Sequence, residues 1–369
     1  MHLVDYKTYN ANNQASAAPG TRLWNSPSPL QLELQNVKLP FQLAYQTWGR
    51  LNAAGDNAIL VIHALSGSAN IEAWWPELLG ERKPLDPEHD FVICINLLGS
   101  CYGSSGPESR NPQTGELWKI DFPAISVRDQ VRAQVALIRH LGITRLRALI
   151  GPSLGGMIAL EWALLEPDLV ESLVLIATTA QHSAQAIANS SCQRAAIRLD
   201  PNYRNGFYPT GRQPAHGLAL ARQMAFITYR SEREFSERFS REPGSGQPFA
   251  IQDYLQHQGR KFTARFDANS YIRLSECMNS HDLGRGRGGL VPALQSIPQA
   301  TLVISLEHDQ LYTYAEQALL AKHIPNAAHE LISTRYGHDG FLIETDAMAD
   351  LLNGFLKPRR REPHENNHP

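Results

Sequence analysis

The sequence predicts an α/β protein with a mostly parallel sheet and helices on both faces of that sheet. Short apolar segments alternate along the chain with segments of helical periodicity. Strands that alternate with helices pair in parallel, because each helix carries the chain back across the sheet. With 369 residues, of which 43% are apolar and 19% charged, the chain is long enough to bury a large core of this kind.

The predicted elements follow from the spacing of apolar residues. Six short apolar segments are interpreted as strands: Phe41–Trp48, Ala58–His63, Phe91–Leu97, Leu146–Ile150, Ser172–Ala177 and Ala300–Leu306. Four longer segments have helical spacing: Val127–Leu141, Met157–Leu165, Tyr314–His323 and Ala347–Leu356. The alternation of the two kinds of segment carries the fold prediction.

The regular alternation stops after about residue 178 and resumes at Ala300. The chain between is polar and helical in pattern, which predicts a helical lid at residues 178–290 inserted into one core. That core comprises residues 1–177 and 291–358. We expect residues 359–369 to form a solvated polar tail.

Composition excludes several classes of function. A net charge of −2 offers no bulk attraction to nucleic acid or membranes, and no apolar segment is long enough to span a bilayer. The start of the chain lacks the pattern of a signal peptide, and the four cysteines show no C-x-x-C spacing. We therefore expect a cytoplasmic protein that binds neither nucleic acid nor membranes, and the spacing of its histidines predicts no metal site.

One motif points directly to chemistry. Gly151–Gly156 has the pattern G-x-S-x-G-G and lies between a predicted strand and a predicted helix. In this context the pattern is typical of a nucleophile elbow, a tight turn that presents a serine at the carboxyl end of a strand. Ser153 is therefore the candidate nucleophile. The alternative is a glycine-rich turn with a capping serine.

A serine nucleophile needs a base and an acid, and in this arrangement they follow it in the order serine, acid, histidine. Asp309 comes just after a predicted strand, although Glu307 and His308 are its neighbours. His338 lies in a glycine-flanked loop before the last helix. His63 competes as base, but a histidine at that position more often shapes the loop that binds the oxyanion.

Acyl transfer also requires hydrogen-bond donors for the developing oxyanion. The backbone N–H of Leu154 directly follows the nucleophile. The second donor is expected in the loop after an early strand, where we choose the N–H of Leu65. The alternative for this loop is an ordinary turn between a strand and a helix.

Further motifs are spread from about residue 40 to residue 345: Asn96–Pro107, Asn111–Gly115, Asp121–Pro123, Val127–Asp129, Gly155–Trp162, Ala221–Gln223, Ile227–Ser231, Arg265–Asn269 and Gly337–Asp339. Together they resemble the motifs of the homoserine O-acetyltransferases, a family of acyltransferases with the α/β-hydrolase fold. The segment Ser280–Arg287 resembles the fungal-type branch, which includes acetyltransferases for other hydroxyl substrates.

The resemblance implies that Ser153 takes an acetyl group from the co-substrate acetyl-CoA and passes it to L-homoserine for methionine synthesis. Arg222 would bind the substrate carboxylate, Asp339 its ammonium group, and Tyr229 would line the pocket. Leu311, two residues after Asp309, would favour acetyl over succinyl.

The resemblance further implies a homodimer. L-serine as acceptor, a succinyl donor, simple ester hydrolysis and a non-catalytic binding role remain alternatives.

Overall fold

An eight-stranded sheet forms the centre of the protein. The computed structural model describes residues 18–357, so the predicted tail at 359–369 lies outside the described residues. The strands are β1 (Arg22–Asn25), β2 (Leu30–Gln31), β3 (Lys38–Leu39), β4 (Gln42–Trp48), β5 (Ala58–Val61), β6 (Phe91–Ile95), β7 (Leu146–Pro152), β8 (Ser172–Ile176), β9 (Ala300–Leu306) and β10 (Ala327–Ile332).

The strand order in the large sheet is β1-β4-β6-β5-β7-β8-β9-β10, while β2 and β3 form a separate small sheet. Strand β4 is antiparallel to both β1 and β6, and the strands from β6 to β10 are parallel. The prediction of a mostly parallel sheet is confirmed. The six predicted strands differ from the observed ones only at their ends, whereas β1 and β10, at the two edges of the sheet, were not predicted.

The helices are α1 (Val127–His140), α2 (Leu154–Leu165), α3 (Ala184–Leu199), α4 (Ala215–Tyr229), α5 (Glu232–Phe239), α6 (Ala250–Thr263), α7 (Ala268–Asn279), α8 (Leu290–Gln295), α9 (Tyr314–His323), α10 (Gly340–Ile343) and α11 (Thr345–Leu356). Helices α3–α7 lie between β8 and β9, within the segment predicted as an insertion. The assignment of residues 178–290 as a lid stays a prediction. None of the described helices is long and apolar enough to cross a membrane.

The central strands are buried on both sides. Every residue of β5, β7 and β8 is buried, and alternate residues of β5 belong to different apolar clusters. Leu60 packs into the cluster on one face of the sheet, and Ile59 and Val61 pack into the cluster on the other. Because successive side chains of a strand point to opposite faces, a strand with helices on both sides is apolar throughout.

The segment between β8 and β9 leaves the sheet and returns to it at one place. The N–H of Leu283 donates to the carbonyl of Ala180 at 3.0 Å, and the N–H of His182 donates to the carbonyl of His281 at 3.0 Å. The two ends of the segment are thus hydrogen-bonded to each other, and we call this pairing the neck.

Candidate active site

Ser153 stands on a strained turn between β7 and α2. Its backbone has φ 56° and ψ −122°, a conformation that costs a residue with a side chain about 1–3 kcal/mol. Two hydrogen bonds hold it in place: the N–H of Ser153 donates to the carbonyl of Ile176 at 2.9 Å, and the Thr178 hydroxyl donates to the carbonyl of Ser153 at 2.7 Å. The turn has the geometry of a nucleophile elbow.

The glycines of the motif permit close backbone contacts at this turn. A Cβ on Gly151 would lie 2.2 Å from the carbonyl carbon of Gly155. A Cβ on Gly155 would lie 2.1 Å from the carbonyl oxygen of Ile62. Any larger residue at either position would push α2 away from β5 and β7, and the serine would move with the helix.

The structure brings Ser153, His338 and Asp309 into one hydrogen-bonded chain. His338 Nε2 lies 3.0 Å from Ser153 Oγ, and His338 Nδ1 lies 2.8 Å from Asp309 Oδ2. All three residues are buried. The arrangement allows Ser153 to donate its proton to Nε2 while the Nδ1–H donates to the carboxylate, which is the order needed to activate a hydroxyl group.

Asp309 is itself held by the backbone of its own loop. Its Oδ1 accepts from the N–H groups of Leu311 at 2.9 Å and Tyr312 at 3.0 Å. Burial acts to lower the pKa of His338, yet the charge and hydrogen bond of Asp309, with the charge of Asp339, hold that pKa above its ordinary value. A positive charge on the His338 ring is therefore favoured by the fixed negative charge of Asp309.

The neighbouring candidates for acid and base are engaged elsewhere. Glu307 Oε2 accepts from the Ser333 hydroxyl at 2.6 Å, and the His308 side chain is 39% exposed beside Glu307. His63 is buried, with Nδ1 2.8 Å from the carbonyl of Ala64 and Nε2 accepting from the Leu97 N–H at 3.3 Å. Burial lowers the pKa of His63 to about 4, so it is a neutral residue that supports its loop.

The loop from His63 to Ala69, which we call the oxyanion loop, follows β5. The Gly67 N–H donates to the carbonyl of Ala64 at 2.9 Å, and this turn places Leu65 at its second position. Leu154 is the first residue of α2, where backbone N–H groups have no partner within the helix. The assignment of these two N–H groups as oxyanion donors stays a prediction.

Arg222 and Tyr229 lie on α4, beside the triad. The Tyr229 and His338 rings have centroids 5.7 Å apart, and the Arg222 guanidinium carbon lies 5.4 Å from the Tyr229 centroid. Phe226 and Phe262 also contact this guanidinium, with centroid distances of 4.6 and 4.7 Å. Its Nη1 is buried and finds no hydrogen-bond acceptor among residues 18–357, and burial lowers the pKa of Arg222.

Burying an arginine nitrogen without a hydrogen-bond acceptor costs free energy, unless a bound anion supplies the acceptor. The aromatic rings stabilise its charge without supplying an acceptor. The position is therefore suited to a carboxylate that arrives with a substrate.

Asp339 already has a cationic partner. Its Oδ2 lies 3.0 Å from Arg230 Nε, and the Asp339 side chain is 13% exposed. Arg230 also contacts Glu234, at 3.3 Å. An ammonium group bound at Asp339 would share this carboxylate with Arg230, which sequence reasoning did not foresee.

Tyr312 belongs to the site but was not predicted. It is completely buried, its ring meets the His338 ring edge to face at 5.4 Å, and its hydroxyl lies 3.5 Å from His182 Nδ1. Burial raises the pKa of Tyr312, so its hydroxyl stays protonated. The sequence signal that could have identified Tyr312 is its position three residues after Asp309, because residues close to the acid in the same loop also lie near the site.

One group of possible metal ligands occurs among the described residues: Asp86, Glu88 and His89. Asp86 accepts from His89 Nδ1 at 3.1 Å and from the Glu88 N–H at 3.1 Å. In these contacts the Asp86 carboxylate accepts hydrogen bonds from its own turn, as a capping residue does.

The strained serine turn, the chain of hydrogen bonds from serine to histidine to acid, and the parallel sheet together define the class of α/β-hydrolase-fold proteins. A family model for this fold matches residues 57–345. Curated relatives narrow the class. The homoserine O-acetyltransferase of Trichormus variabilis is 48% identical over 345 residues, which cover 93% of this chain and 96% of that protein. That of Chlorobaculum tepidum is 43% identical over 337 residues, which cover 91% and 95%.

Solved structures agree with this assignment. Homoserine O-acetyltransferase from Bacillus anthracis superposes with a TM-score of 0.85 at 27% identity, covering 93% of this chain and 99% of that one. The acetyl esterase MekB superposes with a TM-score of 0.83 at 28% identity, covering 95% and 99%. At the identities given by the curated relatives, the chain belongs to the homoserine O-acetyltransferase family.

Proposed function

We propose that this chain transfers an acetyl group from acetyl-CoA to the side-chain hydroxyl of L-homoserine, through an acetyl-enzyme on Ser153. The observation that carries the proposal is the alignment of Ser153 Oγ, His338 and Asp309 at 3.0 and 2.8 Å. The family relationship supplies the donor and the acceptor. The reaction is ping-pong, because one serine carries the group between two substrates.

In the first half, His338 Nε2 takes the proton of Ser153 as its oxygen attacks the thioester carbon. The N–H groups of Leu65 and Leu154 bind the oxyanion, and the tetrahedral intermediate collapses with loss of the CoA thiolate. His338 then returns the proton to that thiolate. In the second half, His338 deprotonates the homoserine hydroxyl, which attacks the acetyl carbon, and Ser153 leaves with the proton.

The acceptor site is proposed at α4. The unsatisfied Nη1 of Arg222 would receive the homoserine carboxylate, with Tyr229 against the triad histidine. The ammonium group would approach Asp339, which shares its charge with Arg230. These groups fix the substrate at both charged ends, so that its hydroxyl reaches the acetyl carbon.

The apolar side chain of Leu311 favours a donor with an uncharged acyl group. Its side chain packs against the apolar core, and its N–H holds Asp309 at 2.9 Å. An apolar side chain at this position offers no partner for a succinyl carboxylate, which would lose hydration without compensation. We therefore propose acetyl-CoA as co-substrate and no further cofactor.

The helices between β8 and β9 would act as a lid. Transfer instead of hydrolysis requires that water be kept from the acetyl-enzyme. Tyr229 of α4, whose ring centroid lies 5.7 Å from that of His338, would help to cover the triad.

We also propose that the enzyme is a cytoplasmic homodimer. Leu220 and Ile227 support the dimer, because they lie two turns apart on α4 and are 48% and 54% exposed. Light scattering of the purified protein tests it against a monomer.

An assay of acceptors against donors tests the proposed reaction. Homoserine, serine or water is combined with acetyl-CoA or succinyl-CoA, and thiol release and the acylated product are both measured. We expect O-acetylhomoserine as the dominant product with wild type and none with Ser153→Ala. The likeness to an acetyl esterase makes hydrolysis the second candidate, and acetate release unaffected by homoserine would establish it. Acetylserine as the dominant product would replace homoserine by the shorter acceptor.

A further inference from the structure

We propose that Arg265 is a positioning residue that fixes the oxyanion loop, so that the Leu65 N–H points at the reacting carbonyl oxygen. The inference rests on the proposed acyl transfer at Ser153 and assigns a role to two sequence motifs that the reaction itself does not use. Arg265 lies between α6 and α7, outside the triad and outside the acceptor site.

Arg265 contacts the oxyanion loop directly. Its Nη1 donates to the carbonyl of Ser66 at 2.8 Å and to the Tyr102 hydroxyl at 2.6 Å. Ser66 follows Leu65, the residue whose N–H we assign to the oxyanion. The guanidinium also rests on the Phe262 ring, at 5.1 Å from its centroid, so its approach to the loop is set from two sides.

The contact is transmitted to the Leu65 N–H through two peptide planes. The peptide that contains the Ser66 carbonyl also contains the Gly67 N–H, which donates to the carbonyl of Ala64 at 2.9 Å. That carbonyl shares its peptide plane with the Leu65 N–H, and His63 Nδ1 lies 2.8 Å from the same oxygen. Because peptides are planar, fixing a carbonyl direction fixes the N–H on the opposite side. Hydrogen bonds in series also polarise one another.

The same arginine joins the loop to a second support. Asn96 Oδ1 accepts from the Ala69 N–H at 2.6 Å, and Asn96 Nδ2 donates to the carbonyl of Tyr102 at 2.7 Å. Tyr102 in turn receives Arg265 at its hydroxyl. Asn96 thus holds the end of the oxyanion loop while Arg265 holds its middle, and the motifs Asn96–Pro107 and Arg265–Asn269 meet at one loop.

Arg265 also connects the oxyanion loop to the helices between β8 and β9. Arg222 lies over the same Phe262 ring, at 4.7 Å from its centroid. The Phe262 ring therefore contacts both Arg265, which positions the oxyanion loop, and Arg222, the proposed partner of the acceptor carboxylate. Docking of these helices on the sheet completes both parts of the site together.

The test measures acylation of Ser153 by p-nitrophenyl acetate in Arg265→Gln and Arg265→Lys. Loss of one oxyanion donor lowers kcat about 10²- to 10³-fold, so misdirection of that donor is expected to slow acylation by about 10- to 100-fold in Arg265→Gln. The lysine variant keeps a charged donor without the planar fork of arginine and should recover part of the rate. Binding of a trifluoromethyl ketone, which mimics the tetrahedral state, should weaken in proportion, while the KM for the ester changes less than about twofold.

Arg273→Gln is the matched control. Arg273 lies on α7, is half-buried, and donates from Nη2 to the carbonyl of Ile120, but that carbonyl is outside the oxyanion loop. We expect its acylation rate and ketone affinity to match wild type.

An Arg265→Gln rate within twofold of wild type, or an equal loss in Arg273→Gln, overturns the proposal. If Arg265→Gln does not fold, Tyr102→Phe takes its place, because it removes the other acceptor of the same Nη1. A loss of about threefold or more is then expected, and a wild-type rate with wild-type ketone affinity overturns the proposal. The ester assay needs neither acetyl-CoA nor homoserine, so it stays informative if the proposed transfer reaction fails.

Discussion

Replacing Asp309 by Asn keeps the shape of the side chain and removes the charge that faces His338. The hydrogen bond from Nδ1 to Oδ2 is 2.8 Å long, and both residues are buried. Two unit charges about 4 Å apart interact by about 4 kcal/mol at an effective dielectric constant of about 20. Since about 1.36 kcal/mol corresponds to a tenfold change in rate, loss of the charge lowers kcat about 10³-fold, and the wrong imidazole tautomer brings the loss to about 10⁴-fold.

The pH profile provides a second readout for Asp309→Asn. His338 must be neutral to act as base, and its pKa is held above the ordinary value by Asp309 against the opposing effect of burial. The wild-type rate should therefore fall as the pH drops through a pKa above about 6.5. Without the carboxylate the effect of burial prevails, and this limb of the profile should move to lower pH.

Steady-state kinetics from pH 5 to 9, with thiol release as the signal, measure both effects. Glu307→Gln is the control, because this exposed carboxylate lies two residues away and contacts Ser333. Its rate and profile should match wild type. An Asp309→Asn variant with a wild-type rate, or a Glu307→Gln variant with the larger loss, would refute the assignment of the acid.

Two further changes probe other parts of the molecule. In Arg222→Met, loss of the buried cation should raise the KM for homoserine by about 10- to 100-fold, as expected for a charged hydrogen bond worth about 1.5–3 kcal/mol. The KM for acetyl-CoA should stay within about twofold, and equal effects on both substrates would count against the acceptor site. In Gly155→Ala the new Cβ would lie 2.1 Å from the Ile62 carbonyl oxygen, so thermal unfolding should occur at least several degrees lower, with activity lost. Gly354→Ala, where a Cβ meets nothing within 4 Å, should instead leave stability unchanged or raised, because alanine favours helix by about 1 kcal/mol; a similar loss in both variants would contradict the argument.

The sequence predicted the elements whose burial leaves a strong pattern. Strand β9 and helix α9 were predicted with the bounds observed, because β9 lies inside the sheet and α9 begins at a capping box formed by Thr313 and Glu316. The edge strands were missed. In β10, His329 and Glu330 interrupt the apolar pattern, since an edge strand is half solvated and is not required to be apolar.

The site shows the same division. The meeting of Ser153, Asp309 and His338 could be predicted, because the pattern of a nucleophile turn fixes both the residue types and their order along the chain. The pairing of Asp339 with Arg230 could not, because the two residues lie 109 positions apart in the sequence, which gives no indication of which charges meet after folding. The contacts of Arg265 with Ser66 and Tyr102 cross even longer stretches of sequence, and only the fold reveals them.

The neck has a consequence for how such chains diversify. Since Ala180 and His182 are bonded to Leu283 and His281, the helices between them form a closed excursion from the sheet. The number and length of these helices can change without altering the strand order, because the neck keeps the two ends of the segment at the same place on the sheet. New substrate preferences can therefore evolve, or be engineered by grafting, while the strands that carry Ser153 and Asp309 keep their connections.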